Sequence, residues 1–190
     1  MKYDIILCGV GGQGGISVSV VIAQAAMAQG LQVKQSEVHG MAQRGGEVLA
    51  HLRISDSPIA SSLIPKGSAQ LILAFEPLEA LRYLPWLAKT GQVVTATAPI
   101  KNIPNYPDLE AVLGEIRALP KATMLDADAM AREAGNARAA NMVLVGAAAK
   151  LLPLKVESIE KAIADTFARK GEAVVAANLK AFEHGRTANQ

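Results

Sequence analysis

The glycine-rich opening of the chain constrains the fold more than any other stretch. Residues Tyr3 to Cys8 form a short apolar run, which is typical of a strand buried on both faces. Glycines interrupt this run over residues 9–15, and helical spacing of Ser, Val, Ala and Met then extends from Ile16 to Gln29, before Gly30. The sequence therefore predicts a strand, a glycine turn and a helix, which together open a βαβ unit.

The glycine turn is the first candidate binding site. Gly9, Gly11 and Gly14 fit the G-x-G-x-x-G spacing, and Gly12 and Gln13 lie between them. Glycine permits positive φ and close approach of a ligand to the backbone, and the free N–H groups at the start of a helix favour an anion. The alternative is that these glycines only let the helix cross closely over the strand. The spacing alone does not decide between the two.

Composition limits the class of protein. With 190 residues, of which 51% are hydrophobic, the chain is long enough for one substantial core, so we expect a single domain over residues 1–190. The net charge of +2 is small and dispersed, which gives no indication of a nucleic-acid partner. No apolar stretch reaches the roughly 20 residues that span a bilayer, and no charged leader precedes the first strand. We therefore expect a cytoplasmic protein without a membrane partner.

The single cysteine excludes some cofactors as autonomous sites. A cubane iron–sulfur cluster takes about four cysteine thiolates, and a structural zinc ion takes about four ligands. Cys8 lies inside the predicted buried strand, where it is expected to serve as a small core residue. The sequence therefore predicts no metal site and no catalytic nucleophile on this chain.

A polar loop from Glu37 to Gly46 is the second candidate site. It follows a strand predicted over Leu31 to Ser36, and it is longer than an ordinary connection. An arginine beside two glycines is suited to hold a carboxylate or a phosphate. The alternative is that this arginine simply pairs with the acid that starts the loop. The candidate binding residues here are Glu37, Gln43, Arg44, Gly45 and Gly46.

The middle of the chain predicts further strands. Residues Glu47 to Ile54 alternate between apolar and polar side chains, which indicates an antiparallel strand with one wetter face and a partly exposed His51. Ala69 to Phe75 is a continuous apolar run and predicts a central parallel strand. A helix is expected to begin at Glu76-Pro77 and to end at Gly91.

The second half of the chain completes the predicted fold. Strands are expected over Gln92 to Thr97 and Ala122 to Asp126, with Asp108 and Asp126 as helix N-caps, and the chain is helical from Asn141 onward. We predict a three-layer α/β/α Rossmann-like domain with a mostly parallel, mixed sheet and a helical C-terminal end.

Three segments together resemble a known family. They are the glycine element Gly9–Gly14, the run Gln43–Gly46, and the run Asn141–Ala147. They resemble the gamma-type domain of 2-oxoacid:ferredoxin oxidoreductases. Within that family the chain is most similar to the small (beta) subunit of the indolepyruvate enzymes, and the resemblance extends over nearly the whole chain.

The resemblance implies a subunit of an enzyme complex. Such complexes oxidatively decarboxylate arylpyruvates, form an acyl-CoA and reduce ferredoxin. Thiamine diphosphate, Mg²⁺ and the [4Fe-4S] clusters are then expected on a large partner subunit, and this chain lacks the Gly-Asp-Gly and Asn-Asn runs of a thiamine diphosphate site. The glycine turn and the Glu37–Gly46 loop would face the large subunit's active site or the path of coenzyme A, with Arg44 as the anion-binding group. Alternatively, both loops only build the subunit interface.

Three other functions stay open. The chain is also compatible with the gamma subunit of a pyruvate or 2-oxoglutarate ferredoxin oxidoreductase. Gly9, Gly11, Gly14 and Glu37 together are compatible with a free-standing NAD- or FAD-binding protein. A binding module without redox activity is the third alternative, because the sequence contains no recognisable pair of catalytic acid, base or nucleophile.

Overall fold

A mixed six-stranded sheet organises the part of the chain that the computed structural model describes, which is residues 1–39 and 45–188. The strands are β1 (Lys2–Val10), β2 (Gln32–His39), β3 (Glu47–Ser55), β4 (Ala69–Ala74), β5 (Leu87–Ala96) and β6 (Ala122–Leu125). The helices are α1 (Gly15–Ala28), α2 (Pro77–Arg82), α3 (Leu109–Arg117), α4 (Ala127–Glu133), α5 (Ala140–Ala148), α6 (Val156–Phe167) and α7 (Glu172–Thr187).

The sheet order is β2-β3-β1-β4-β5-β6. Strands β1, β4, β5 and β6 run parallel, whereas β3 is antiparallel to both of its neighbours. Strand β2 consequently runs in the same direction as β1, with β3 inserted between them. The predicted mixed, mostly parallel sheet and the antiparallel β3 are confirmed.

Two cores lie on opposite faces of the sheet. Ile5 and Leu7 of β1 pack into the larger core, which also contains residues of α1, α4, α5, α6 and α7. Ile6 and Cys8 point the other way, into a smaller core with α2 and α3. Because successive side chains of β1 point to opposite faces of the sheet, this strand contributes to the cores beneath both helical layers. The predicted three-layer α/β/α architecture is confirmed.

Both predicted aspartate caps are confirmed. The Asp108 carboxylate accepts a hydrogen bond from the Ala111 N–H at 3.0 Å at the start of α3. The Asp126 carboxylate accepts one from the Ala129 N–H at 2.9 Å at the start of α4. Each cap satisfies one of the backbone donors that the first helical turn leaves free and contributes about 1 kcal/mol.

The helix predicted to end at Gly91 is shorter than expected. Helix α2 ends at Arg82, and Pro85 then lies in a separate 3₁₀ turn over residues 84–86, because proline cannot donate a helical hydrogen bond. Leu87 already begins β5. Gly91 is therefore inside a strand, where a Cβ would lie 2.8 Å from the Ala69 carbonyl oxygen.

The expectation of a wetter face on β3 and a partly exposed His51 is wrong. His51 is 5% exposed, and its Nδ1 accepts a hydrogen bond from the Ile64 N–H at 3.1 Å. Residues 59–64 cover this face of β3, and Arg53 donates hydrogen bonds to two carbonyl oxygens of that segment. The Arg53 Nε also donates to Oδ1 of the fully buried Asp4 at 2.9 Å. Burial lowers the pKa of His51, and the Arg53 charge lowers it further.

Helices α5 and α7 touch through their backbones. A Cβ added to Gly146 of α5 would lie 1.9 Å from the Phe182 carbonyl oxygen, and one added to Gly185 of α7 would lie 1.8 Å from the Val143 carbonyl oxygen. Only glycine fits at these two positions. This contact fixes α5, which reaches the glycine turn at its N-terminal end, against the C-terminal helix.

No helix within residues 1–39 and 45–188 is long and apolar enough to span a membrane.

Candidate functional site

The glycine turn between β1 and α1 is held by the side chain of Gln13. Its Oε1 accepts a hydrogen bond from the Val10 N–H at 2.7 Å, and its Nε2 donates to the Phe75 carbonyl oxygen at 2.7 Å. The amide therefore ties the end of β1 to the end of β4. Gln13 was predicted as a binding residue, and in the structure its side chain fixes the shape of the turn.

The turn glycines serve two different purposes. A Cβ on Gly9 or Gly15 would crowd Phe75, and one on Gly14 would lie 2.5 Å from Nδ2 of Asn141. These glycines are needed for close packing. Gly12, at φ 106°, has no atom within 4 Å of its Cβ position among the described residues. Close packing therefore accounts for three of these four glycines, whereas Gly12 faces open space, and ligand binding at the turn stays a prediction.

The glycine turn is hydrogen-bonded to Gly45 and Gly46, which end the second candidate site predicted over Glu37–Gly46. The Gly11 N–H donates to the Gly46 carbonyl oxygen at 2.8 Å, and the Gly45 N–H donates to the Gly11 carbonyl oxygen at 3.3 Å. Asn102, from the proline-rich loop after β5, donates through Nδ2 to the Gly45 carbonyl oxygen at 2.8 Å. Three loops therefore converge at the carboxyl edge of the parallel strands, where open α/β folds bind ligands. The predicted residues Gln43 and Arg44 lie outside the described residues.

A cavity of about 570 Å³, here called the Glu37 cavity, opens beside the turn. Its walls are mostly apolar and include Ile16, Val48 and Phe75, while Glu37 supplies a carboxylate. Glu37 lies within β2, opposite Ala50, so the loop predicted from this residue begins later than expected. Gln35 donates to Oε2 of Glu37 at 3.5 Å.

A second cavity of about 440 Å³, here called the Asn141 cavity, lies on the other side of the same turn. It is bounded by the glycine turn, by the loop after β5, and by the N-terminal ends of α4 and α5. Asn141 donates through Nδ2 to the Gly14 carbonyl oxygen at 3.3 Å, while its Oδ1 is buried without a hydrogen-bond partner in the described ranges. The charged residues in its wall are Asp128, Arg138 and Lys170.

Buried acids anchor the loop after β5. Glu76, which is 1% exposed, accepts hydrogen bonds from the Tyr106 hydroxyl and from the Ile100 N–H through Oε1, and from the Glu79 N–H at 2.9 Å through Oε2. Burial raises the pKa of Glu79 to about 7, although the nearby Arg82 guanidinium opposes this shift. These contacts hold the loop that forms one wall of the Asn141 cavity.

The metal-binding side chains in residues 1–39 and 45–188 do not fit a thiamine–magnesium or iron–sulfur site. Within the described residues, no three His, Cys, Asp or Glu side chains come close enough to hold a metal ion. Cys8 is fully buried, and burial together with the carboxylates of Glu79 and its neighbours raises the pKa of its thiol. A thiol kept protonated in a core is a poor metal ligand.

Two residues that shape this edge were not singled out from the sequence. Phe75 appeared only as the end of an apolar run, yet its ring packs under the glycine turn. In the sequence, Asn141 marks only the start of the C-terminal helical region and of the run Asn141–Ala147, and neither pattern indicates a contact with the glycine turn. Its contact with Gly14 joins residues 127 positions apart, and a single sequence carries no local signal for such a contact.

Comparison with known proteins agrees with this architecture. The family model described as pyruvate ferredoxin/flavodoxin oxidoreductase matches residues 4–188. The indolepyruvate oxidoreductase subunit IorB of Archaeoglobus fulgidus is 40% identical over 97% of this chain and 94% of its own length. The common gamma subunit of the Pyrococcus abyssi pyruvate/ketoisovalerate oxidoreductases is 32% identical over 95% of each chain.

A solved structure shows the same fold. It is the 2-oxoglutarate:ferredoxin oxidoreductase from Magnetococcus marinus with 2-oxoglutarate, coenzyme A and succinyl-CoA bound, and it aligns with 97% of this chain at a TM-score of 0.74 and 23% identity. This chain spans only 30% of that longer chain.

The α/β/α fold with its glycine turn at the sheet edge, together with the match to residues 4–188, defines the class: the chain belongs to the pyruvate ferredoxin/flavodoxin oxidoreductase family. The relatives that match it over nearly their full length are subunits of indolepyruvate and pyruvate/ketoisovalerate oxidoreductases. The chain is accordingly of the 2-oxoacid ferredoxin oxidoreductase subunit type.

Proposed function

We propose that this chain is the small, cluster-free subunit of an indolepyruvate or arylpyruvate ferredoxin oxidoreductase. The complete enzyme would decarboxylate the 2-oxoacid oxidatively, transfer the acyl group to coenzyme A and pass two electrons to ferredoxin. A large partner subunit would carry thiamine diphosphate, Mg²⁺ and the [4Fe-4S] clusters. We place the complex in the cytoplasm, and we treat residues 1–190 as one domain.

One observation carries the proposal. The Gly9–Gly15 turn is joined by backbone hydrogen bonds to Gly45 and Gly46, at an open sheet edge with a cavity on each side. An edge of this kind can complete an active site that another subunit begins. The 40% identity to an indolepyruvate oxidoreductase subunit, against 32% for the pyruvate/ketoisovalerate subunit, favours the arylpyruvate substrate class.

The chemistry left to this chain is positional. Thiamine diphosphate bound to the partner would supply the carbanion chemistry of decarboxylation. The residues of this chain would orient an anionic group at the glycine turn, where Gly12 is open and the first N–H groups of α1 are free of helical bonds. Arg44, directly before Gly45, would add a guanidinium for the carboxylate of the 2-oxoacid or a phosphate of coenzyme A.

Reconstitution with the large subunit tests the subunit assignment. Viologen or ferredoxin reduction is measured with indolepyruvate, thiamine diphosphate and coenzyme A, using each chain alone and both together. We expect activity only from the co-eluting pair. If the large subunit is equally active alone and the two chains do not co-elute, the proposal is refuted.

Arg44→Ala in the assembled enzyme tests the anion-binding role. Loss of a guanidinium–anion contact is expected to raise the Michaelis constant for the 2-oxoacid or for coenzyme A roughly tenfold or more. Arg117→Ala is the matched control, because Arg117 is exposed on α3 and pairs only loosely, at 3.6 Å, with the exposed Glu110. If Arg44→Ala leaves both constants and the turnover unchanged while the subunits still co-elute, both loops serve only as interface.

Substrate tests separate the remaining family functions. Pyruvate and 2-oxoglutarate are compared with indolepyruvate and phenylpyruvate in the same assay, and faster turnover of pyruvate or 2-oxoglutarate would move the assignment to those enzymes.

A nucleotide-binding function is the second candidate, because Glu37 and the glycine turn line one cavity, as a ribose and pyrophosphate site requires. Such a site would raise the melting temperature of the isolated chain on addition of NAD or FAD. An unchanged melting temperature at millimolar nucleotide would exclude a free-standing NAD- or FAD-binding protein. If the chain neither binds nucleotide nor joins the large subunit, a binding module without redox activity is the function that fits.

A further inference from the structure

The Asn141 cavity contains a buried polar group that the protein leaves unsatisfied. Asn141 is 8% exposed, its Nδ2 is used by the Gly14 carbonyl oxygen, and its Oδ1 has no hydrogen-bond partner in the described part of the chain. A buried acceptor without a partner costs about 1–3 kcal/mol. An oxygen can only be satisfied by a donor, so the group that completes this site carries an N–H or O–H.

The wall of the cavity carries charges of both signs. Arg138 and Lys170 are exposed cations, and Asp128 is a half-buried carboxylate in the first turn of α4. Within residues 1–39 and 45–188, neither Asp128 nor Arg138 forms an ion pair, and the Lys170 ammonium lies 5.2 Å above the Phe167 ring. A polyanion would be repelled by Asp128, and a fully ionised one would offer no donor to Oδ1 of Asn141. A zwitterion matches both signs.

Apolar side chains also line the cavity, beside the polar Gln13 and Ser17. Phe75, Ile100, Leu144 and Phe167 all contribute to the cavity. Its volume of about 440 Å³ lies within the range of small-molecule sites and is large enough for a ligand with a bulky apolar side chain.

We propose that the Asn141 cavity binds an α-amino acid with a large apolar side chain. Its carboxylate lies between Arg138 and Lys170. Its ammonium group donates to Asn141 Oδ1 and faces Asp128, and its side chain packs against Leu144 and Phe167. This inference goes beyond the subunit function proposed above and does not depend on it, because it concerns a ligand that is neither a 2-oxoacid nor coenzyme A.

Calorimetric titration of the full-length chain with L-phenylalanine tests the proposal. We expect saturable binding with a dissociation constant below about 1 mM. Three analogues separate the contacts: phenylpyruvate lacks the ammonium group, phenethylamine lacks the carboxylate, and glycine lacks the side chain. Each is expected to bind at least about tenfold more weakly than L-phenylalanine, because each loses one of the three contacts.

Two variants locate the site. Asp128→Asn and Arg138→Gln are each expected to weaken L-phenylalanine binding about tenfold or more. Arg132→Gln, an exposed arginine in the last turn of α4, is the matched control and is expected to bind within about twofold of the unmodified chain. The variants are at exposed or half-buried positions, so circular dichroism is expected to show an unchanged fold.

Two results would overturn the inference. One is the absence of saturable heat up to about 10 mM L-phenylalanine. The other is equal or tighter binding of phenylpyruvate or inorganic phosphate, which would make the cavity an anion site. Neither result bears on viologen reduction by the assembled enzyme, so failure here and failure of the subunit function remain distinguishable. Repeating the titration on the co-eluted complex shows whether the cavity stays accessible there.

Discussion

Gly146→Ala is expected to destabilise the protein, although alanine is the better helix former. The new Cβ would lie 1.9 Å from the Phe182 carbonyl oxygen, about 1.1 Å closer than the 3.0 Å below which Cβ atoms are essentially not found. Because a backbone oxygen cannot rotate away, α5 and α7 must separate by about that distance. Overpacking of this kind costs about 3 kcal/mol, and helix propensity returns about 1 kcal/mol, so the net loss is about 2 kcal/mol.

Thermal unfolding followed by circular dichroism measures this loss. For a chain of this size, about 2 kcal/mol corresponds to a melting temperature roughly 4–8 °C lower. Gly114→Ala is the matched control, because this glycine lies inside α3 and, apart from the helix's own backbone, no atom of the described residues is within 4 Å of its Cβ position. It is expected to raise the melting temperature by about 1–4 °C. If Gly146→Ala is as stable as Gly114→Ala, the close contact between α5 and α7 is wrong.

Three further predictions concern buried polar groups. Arg53→Met is expected to cost about 3 kcal/mol in urea unfolding, because the buried Asp4 carboxylate then keeps, among the described residues, only the exposed Lys2 ammonium, 3.2 Å from its Oδ2, as an ionic partner. A loss in the Asp4→Leu/Arg53→Met double variant smaller than the sum of the two single variants would support the pair, and an additive loss would contradict it. Gln13→Ala is expected to lower the free energy of unfolding in urea by about 1–3 kcal/mol, because the Val10 N–H and the Phe75 carbonyl oxygen both lose their hydrogen-bond partner. An unchanged free energy of unfolding would mean that the turn keeps its shape without the Gln13 side chain. Burial raises the folded-state pKa of Glu79 from 4.5 to about 7, so ionisation destabilises the fold progressively between those values. Glu79→Gln should therefore match the unmodified chain near pH 4.5 and be more stable than it at pH 8, and equal stability at pH 8 would refute this pKa shift.

Local signals in the sequence were sufficient for most of the fold. The apolar run of β1, the glycines after it and the aspartate caps of α3 and α4 each act within a few residues, and all were predicted correctly. His51 was misjudged because period-two alternation shows that a strand has two different faces, but not what covers the polar one. The covering segment binds it through Ile64, which belongs to a loop with no periodicity of its own.

The candidate site was predictable in part for the same reason. The glycine turn and the Gly45–Gly46 pair could be singled out because unusual residue types cluster there, and their meeting followed from the topology of an open α/β sheet. The Asn141 cavity could not be anticipated, since it forms only when α5 packs against residues more than 120 positions earlier in the chain. Whether the predicted residues bind a ligand stays a prediction.

The insertion of β3 between β1 and β2 has a consequence for folding. Strands β2 and β3 are neighbours in sequence and pair antiparallel. We therefore expect them to form a hairpin, on the order of microseconds, before the slower pairing of β3 with β1. Gly45 and Gly46 lie near the tip of that hairpin. The hydrogen bonds between Gly11 and residues Gly45 and Gly46 can form only when this hairpin pairs with β1. The pairing of β3 with β1 and the assembly of the glycine-turn edge are therefore expected to be one kinetic step. A ligand or partner bound at this edge would slow the separation of the hairpin from β1. It would therefore protect the amides of β2 and β3 from hydrogen exchange far more than those of β4, β5 and β6.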